Sequence, residues 1–205
     1  MTHRFLNRKE TMLIAAIDLL DRSGIQGLTA REIARVEGLT EAAVYKHFKG
    51  KKEILEAIIR RFASYDEKIG STMRQQVMTE EQGLIYYAQT YAANYQGYPQ
   101  LVTLLFSFDV YRYDPQLKAL MQDTMEKRRN SLTRFILQCR SEGRGSGTME
   151  PDLLSDMVLG CILNSAYYWK LTDCTTDFKG DVLRTVGILL ERNRCTAHGG
   201  GAGAE

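Results

Sequence analysis

A cluster of cationic and aromatic side chains stands out in the segment VYKHFKGKK, which begins at Val44. It holds four lysines, one tyrosine and one histidine in nine residues. Val44 and Phe48 are four positions apart, so in a helix they share one face and anchor it inward. Tyr45, Lys46 and His47 then point outward. An outward phenol among cations can hydrogen-bond a phosphate, and its ring can contact a thymine methyl group, so this chemistry fits DNA.

The helix before this cluster has a recognisable start and end. Thr29 and Glu32 predict a capping box, in which the threonine hydroxyl accepts from a backbone amide and the glutamate reaches back. Ile33 and Val36 are expected on its inward face. Gly38 suits the left-handed residue that ends many helices, so we predict a short helix that stops there.

A second short helix begins almost at once. Thr40 predicts an N-cap, and Glu41 places negative charge in the first turn, where it is favourable. This helix is expected to run to about His47 or Phe48. Two short helices around a turn that contains glycine have the spacing of a helix-turn-helix, whose second helix enters the major groove. Other small helical hairpins share that spacing.

The stretch from roughly Lys9 to Phe62 resembles the DNA-binding domain of the TetR (tetracycline repressor) family of transcriptional regulators. The match is dense, ordered and ungapped, whereas the rest of the chain fits the family only in length and helical pattern. The matching residues are Ala15, Ala16, Gly24, Leu28, Thr29, Ile33, Ala34, Gly38, Val44, Tyr45, His47, Phe48, Lys51 and Leu55.

The resemblance implies two kinds of contact with double-stranded DNA. An arginine or lysine that reaches a guanine contributes about 1–3 kcal/mol of discrimination. The two threonines also cap helices, and Lys46 alone would be an ordinary solvated lysine. Positions that contact phosphate in the family are occupied by Thr29, Thr40, Tyr45, His47 and Lys51. Positions that read base edges are occupied by Arg31, Ala42, Ala43 and Lys46.

Charge is unevenly distributed along the chain. Residues 1–52 hold ten Lys and Arg against six Asp and Glu, whereas the remainder holds seventeen against nineteen. Basic character therefore concentrates where DNA contact is predicted. No apolar segment follows Met1 as a secretory signal would, and no apolar run reaches the roughly 18 residues of a membrane span. We expect a cytoplasmic protein.

Catalytic and metal-binding patterns are missing from the sequence. The histidines are His3, His47 and His198, and no Ser/His/Asp arrangement, GxSxG, P-loop or HExxH motif accompanies them. We expect no enzyme, no cofactor and no metal. The cysteines lack a CxxC pair and are expected to be reduced thiols. They are Cys139, Cys161, Cys174 and Cys195.

Helical periodicity predicts an all-α protein with an N-terminal three-helix helix-turn-helix domain (1–52), a helical second domain (53–195) and a disordered tail (196–205). The resemblance implies that the second domain is the ligand-binding and dimerisation domain. A first amphipathic helix from about Lys9 to near Gly24 packs behind the two short ones. Lys51 begins a long helix with no strong stop before Gly70. We call residues 1–52 the head and residues 53–195 the body. The head and the body are thus expected to meet inside that helix.

The body is expected to hold further helices. One spans about 80–96, another follows Pro99 and includes Phe108, a loop covers 111–115, and a long helix runs over about 116–140. The helices at 153–170 and 179–192 are almost wholly apolar, which predicts a partner that covers them. The resemblance agrees, because the last two helices form the dimer interface in this family.

Family behaviour implies that a small molecule in the body releases DNA. We therefore predict a repressor that binds a near-palindromic operator as a homodimer. The abundance of tyrosine and scarcity of charge favour an apolar or aromatic effector, although each of these aromatics is also an ordinary core residue. Candidate pocket residues are Tyr87, Tyr91, Phe106, Phe108, Met121, Met125, Asn164 and Tyr168.

Three alternatives remain open at the level of sequence. One is a DNA-binding protein that has no ligand and acts through partner proteins. Another is an oxidation sensor that works through Cys139 or Cys161. The third is an enzyme, which requires a reactive constellation that the sequence does not display.

Overall fold

A computed structural model describes residues 7–194, and within this range the regular structure consists of ten helices. The all-α prediction is confirmed. The predicted tail (196–205), Cys195, His3 and His198 lie outside the described residues. The helices are α1 (Arg8–Gly27), α2 (Ala30–Glu37), α3 (Glu41–Tyr45), α4 (Lys51–Gln75), α5 (Glu80–Gly97), α6 (Gln100–Phe106), α7 (Phe108–Arg112), α8 (Pro115–Ser141), α9 (Pro151–Leu171) and α10 (Phe178–Asn193).

Side-chain caps determine where several helices begin. Asn7 accepts a hydrogen bond from the Glu10 amide at 2.9 Å and starts α1. Thr79 and Gln82 form a reciprocal capping box at the start of α5. Asp114 accepts from two amides of α8, whose first residue is a proline that needs no amide partner.

Of two predicted helix ends, one is confirmed and one is wrong. At Gly24 the chain leaves helical geometry (φ 62°, ψ −170°), so the first helical segment ends there as predicted, although a short helical segment beyond this kink extends α1 to Gly27. Gly70 does not stop α4, which runs on to Gln75. A Cβ at Gly70 would lie 3.1 Å from the Ser131 hydroxyl of α8, so this glycine permits close packing of two helices.

The segment after Pro99 also differs from prediction. The expected single helix breaks at Ser107, where ψ is 67°, and a short α7 follows. Tyr111 therefore lies in a helix and not in a loop. Its buried hydroxyl donates to the Leu104 carbonyl. Phe108 begins α7 and is 73% exposed.

Head and body share one continuous cluster of buried apolar side chains. Helix α1 packs on α2, α4 and α6, while α4 packs lengthwise against α8, and α5 and α9 pack against α10. Polar ties reinforce the junction. Asp21 of α1 accepts from Thr103 of α6 and pairs with Lys170 of α9 at 2.9 Å, and Lys52 pairs with Asp114 at 3.0 Å. The hydrogen bond from Lys52 holds the pKa of Asp114 below its ordinary value.

One face of α9 is left uncovered within a single chain. Its exposed residues are spaced by three or four, as residues on one side of a helix are. On α10, Ile188 is exposed as well. The exposure of this α9 face and of Ile188 agrees with the prediction that α9 and α10 cannot both be covered from within one chain. The α9 face consists of Leu153, Met157, Gly160, Asn164, Tyr168 and Leu171.

Candidate nucleic-acid interface and buried ionic cluster

Helix α2 is positioned by its cap and by a small apolar face. The Thr29 hydroxyl accepts from the Glu32 amide at 3.1 Å. The reciprocal half of the predicted capping box is not formed, because the Glu32 carboxylate accepts from Arg35 at 2.8 Å instead. Ile33 is buried as predicted, but Val36 is 50% exposed, so its predicted inward position is wrong.

The turn and α3 follow the predicted chemistry more closely. Gly38 has φ 65° and ψ 34°, the left-handed conformation that ends α2. The Thr40 hydroxyl accepts from the amide three residues later at 3.2 Å and starts α3. This helix ends at Tyr45, earlier than predicted. The amides of the following residues turn back onto the Val44 carbonyl, and Val44 and Phe48 are buried as expected.

The predicted DNA contacts lie at the surface to different degrees. Tyr45 is 53% exposed in spite of its size. Lys51 already makes one hydrogen bond within the chain, since its ammonium group donates to the Ile25 carbonyl near the end of α1 at 2.7 Å. The exposed members of the set are Arg31, Thr40, Ala42, Tyr45 and Lys46, and the partly buried ones are Thr29, Ala43, His47 and Lys51.

A buried ionic cluster joins α4, α5 and α8. The Arg128 side chain is only 2% exposed. Its Nε lies 3.2 Å from both carboxylate oxygens of Asp66, its Nη2 lies 3.0 Å from Oδ1, and its Nη1 donates to the Tyr95 hydroxyl at 3.2 Å. Tyr91 donates to Asp66 as well. The guanidinium carbon sits 4.4 Å and 4.7 Å from the ring centres of Phe62 and Tyr91, which adds cation–π attraction.

Three tyrosines of α5 surround this arginine. Burial raises the pKa of Tyr87, Tyr91 and Tyr95, so each keeps its hydroxyl proton. Burial opposes the charge on Arg128, but the neighbouring tyrosines and Asp66 outweigh it and raise its pKa further. Tyr87 is 4% exposed, and among the described residues no group is in hydrogen-bonding geometry with its hydroxyl. Its ring centre nevertheless lies 4.6 Å from that of Tyr91.

The eight predicted pocket residues do not converge on one site. Only Tyr87 and Tyr91 belong to the cluster, while Met121 and Met125 lie on α8 at the edge of the core. Phe106 is half-buried against Tyr167. The other three are exposed, because Phe108 follows the break at Ser107 and the remaining two lie on the uncovered face of α9. The three exposed residues are Phe108, Asn164 and Tyr168.

Sequence reasoning missed both charged members of the cluster. Asp66 follows the buried Phe62 by four positions on α4, and Arg128 precedes the buried Leu132 by four on α8. Each charge therefore interrupts an inward apolar stripe, which is a signal available in the sequence.

An open groove of about 950 Å³ lies between α4 and α8 and reaches the cluster at Asp66. Asp66 and the buried Thr124 belong to its lining. Its walls carry more positive than negative side chains. The cations are Arg60, Lys68, Arg74, Lys127 and Arg134, and the anions besides Asp66 are Glu67 and Asp123.

Cysteine and metal chemistry find little support in residues 7–194. Burial raises the pKa of Cys139, Cys161 and Cys174, which lowers the thiolate fraction that oxidation requires. No group of three or more potential metal ligands is found among these residues. Nor does any helix described here have the length and apolar character needed to cross a membrane.

Comparison with known proteins shows which protein family the head resembles in sequence. Residues 13–58 match the family described as bacterial regulatory proteins, tetR family. The chain is 38% identical over 82 residues to the nucleoid occlusion factor SlmA of Marinobacter nauticus, and 34% identical over 91 residues to the class D tetracycline repressor of Escherichia coli. Each match covers 40% of this chain, and 40% and 41% of these relatives. Residues 13–58 thus carry the sequence likeness to this family, and the matched part of the chain spans less than half the length of these relatives.

Solved structures extend the likeness to the whole fold. The fatty acid degradation regulator FadR of Bacillus halodurans aligns with TM-score 0.78 at 17% identity, over 90% of this chain and 96% of FadR. FadR of Bacillus subtilis, solved in complex with stearoyl-CoA, aligns with TM-score 0.77 at 16% identity, over 89% of this chain and 98% of that one. The tetracycline repressor and FadR proteins are named as regulators and not as enzymes.

Proposed function

We propose that the chain is a ligand-responsive transcriptional repressor that binds a near-palindromic operator as a homodimer. The observation that carries this proposal is the half-exposed Tyr45 beside Lys46, on a short helix capped by Thr40 and anchored by two buried side chains. An exposed aromatic among cations contributes little to folding, but it suits a phosphate backbone and base edges. The match of residues 13–58 to regulators supports the same conclusion.

We assign the phosphate contacts to Thr29, Thr40, Tyr45, His47 and Lys51. Base-edge contacts fall to Arg31, Ala42, Ala43 and Lys46. The hydrogen bond from Lys51 to the Ile25 carbonyl uses one of its three ammonium protons, so two remain for phosphate. We place the boundary between head and body at residue 52. We propose a cytoplasmic location, because the protein must reach its operator.

The uncovered face of α9 and the exposed Ile188 of α10 support a two-fold partner. A contiguous apolar surface of this kind is costly in water and is ordinarily an interface. Two paired heads would contact successive major grooves about 34–36 Å apart. An effector that binds in the body would dissociate the protein from the operator if it bound more tightly to the dimer conformation in which the spacing of the two heads no longer fits DNA. We propose an effector with an apolar or aromatic portion, and the stearoyl-CoA complex of the FadR neighbour supports a body able to hold such a ligand.

Fluorescence anisotropy with duplexes from beside the coding region tests the DNA contacts. We expect Tyr45→Ala and Lys51→Ala to weaken all sequences alike, with Lys51→Ala lowering the salt slope by about one. Lys127→Ala, a change at an exposed lysine in the middle of α8, is the matched control. Unchanged affinity and slope in both variants would show that these residues do not contact phosphate.

Analytical ultracentrifugation tests the dimer. Met157→Asp places a charge on the apolar face of α9, so we expect the protein to become monomeric and its operator affinity to fall sharply. Val77→Asp is the control, because Val77 is exposed in the connection between α4 and α5. A dimer that persists in Met157→Asp would place the interface elsewhere.

A further inference from the structure

We propose that the effector is an organic acid whose acid group enters through the α4–α8 groove and binds Arg128 in place of Asp66. This inference rests on the proposed function only in treating α4 as the connection to the DNA-binding head. It adds an acid group to the expected apolar or aromatic effector, because the body does bury charge.

Stability alone does not account for the pair of Asp66 and Arg128. Removing two charges from water costs several kcal/mol per ion, and apolar residues of similar size are often as stable or more stable at such sites. The pair lies in a core that is otherwise apolar and aromatic. A role that requires the charges is therefore the better explanation.

The hydrogen-bond inventory of the cluster identifies the missing partner as an acceptor. Arg128 supplies five N–H groups and Tyr87, Tyr91 and Tyr95 supply three hydroxyl protons, against the single carboxylate of Asp66. Among the described residues, Arg128 uses only one N–H on each nitrogen, and Tyr87 uses none of its hydrogen-bonding capacity. An acid group with two oxygens would satisfy these donors. An ammonium group would add donors and face the guanidinium.

The groove offers a route with the right charge. Asp66 is 14% exposed and lines the groove, so the ion pair is reached from that side. Five cations against three anions on the lining concentrate anions near the opening. The apolar part of the ligand would then trail behind the acid group and lie in the groove beside Ala63 and Leu120.

Exchange of the acid group for Asp66 also provides the coupling. The pair links α4 to α8, and α4 begins at Lys51, next to the recognition helix. An acid that takes Arg128 frees Asp66 and releases α4 from α8 at that point. The ligand therefore binds more tightly to the conformation in which the Asp66–Arg128 pair is broken. Coupling between the ligand and DNA requires such a difference in affinity between two conformations.

The test uses two sets of matched probes in thermal-shift titrations without DNA. These are decanoate, decanol and decylamine, and 4-phenylbutanoate, 4-phenylbutanol and 4-phenylbutylamine. We expect at least one acid to raise the melting temperature of the full-length protein progressively as its concentration rises above its Kd, and the alcohols and amines to have no such effect. No shift with either acid, or an equal shift with its alcohol, would overturn the proposal.

Variants separate a ligand contact from a structural role. Arg128→Met should abolish the acid-dependent shift, whereas Arg129→Met, a change at the adjacent, partly buried arginine that pairs with Asp156 of α9, should preserve it. Asp66→Asn removes the competing carboxylate and should tighten acid binding by about tenfold or more, an increase that a purely structural pair does not predict. Equal or weaker binding in Asp66→Asn would contradict the exchange, even if Arg128→Met fails to fold. Operator binding by the wild type without probes is measured separately, so failure of DNA binding is distinguishable from failure of acid binding.

Discussion

The head and the body of this chain place their polar chemistry on opposite sides of the apolar core. In the head, Tyr45 and Lys46 lie outside while Val44 and Phe48 hold the helix from within. In the body, Arg128 and Asp66 lie inside, and the apolar residues on one face of α9 lie outside. A surface that meets DNA needs exposed donors, whereas a site that discriminates a small molecule needs donors out of water.

The comparison with relatives follows the same division. The family match is confined to residues 13–58, while the likeness to FadR covers most of the chain at 17% identity. Under the proposed function, the geometry of the DNA groove constrains the head, whatever the ligand. In the body only the helical packing must persist, so its buried polar groups can differ from one protein to another.

The largest expected effect is at the buried pair. Arg128→Met leaves Asp66 buried without its cation, and we expect a loss of about 3–5 kcal/mol in the free energy of unfolding. The double variant Arg128→Met with Asp66→Leu should recover most of this loss, because it removes both desolvated charges. Urea denaturation of the single and double variants measures this. A double variant as unstable as the single one would show that the pair is held for stability after all.

The next effect concerns the turn of the head. Gly38→Ala forces a side chain into the left-handed conformation and should destabilise the head by about 1–2 kcal/mol, while Gly38→Asn should cost less. Operator affinity should fall in the same order, since the turn orients α3. Gly187→Ala, in the interior of α10, is the control: its φ is ordinary and no atom lies near the added methyl group. Equal losses at Gly38 and Gly187 would contradict the conformational argument.

Loss of the α3 cap should be slightly smaller. Thr40→Ala removes the hydroxyl that accepts from the Ala43 amide, and we expect a cost of about 1 kcal/mol in thermal or urea unfolding. Thr40→Ser keeps the cap and should restore both stability and operator affinity. Restoration of stability without affinity would indicate a DNA contact through the threonine methyl group.

The smallest effect on stability is expected at Tyr87. Tyr87→Phe deletes a buried hydroxyl that has no partner among the described residues, so unfolding should be unchanged or slightly more difficult. Tyr95→Phe is the contrast, because it removes the acceptor of an Arg128 hydrogen bond and should destabilise the body. If Tyr87→Phe costs as much as Tyr95→Phe, the Tyr87 hydroxyl has a partner in solution.

The outcome at individual residues separates local from long-range information. The caps at Thr29 and Thr40 and the conformation of Gly38 were predictable, since each depends on hydrogen bonds or φ within four residues. Val36 was misplaced because α2 buries a narrower face than its apolar spacing implied. Gly70 resembles a stop in the sequence, yet the closeness of α8 gives it a packing role that no neighbour in the chain reveals.

The sequence by itself determined the all-α class, the capped helix pair of the head and the apolar character of the last two helices, because helix periodicity and capping act over a few residues. Only the tertiary structure decided that Asp66 and Arg128, 62 positions apart, form one buried cluster with the tyrosines of α5. It also decided that Phe108, Asn164 and Tyr168 lie outside it. Whether a polar side chain is desolvated depends on the helices that cover it, and these come from distant parts of the chain.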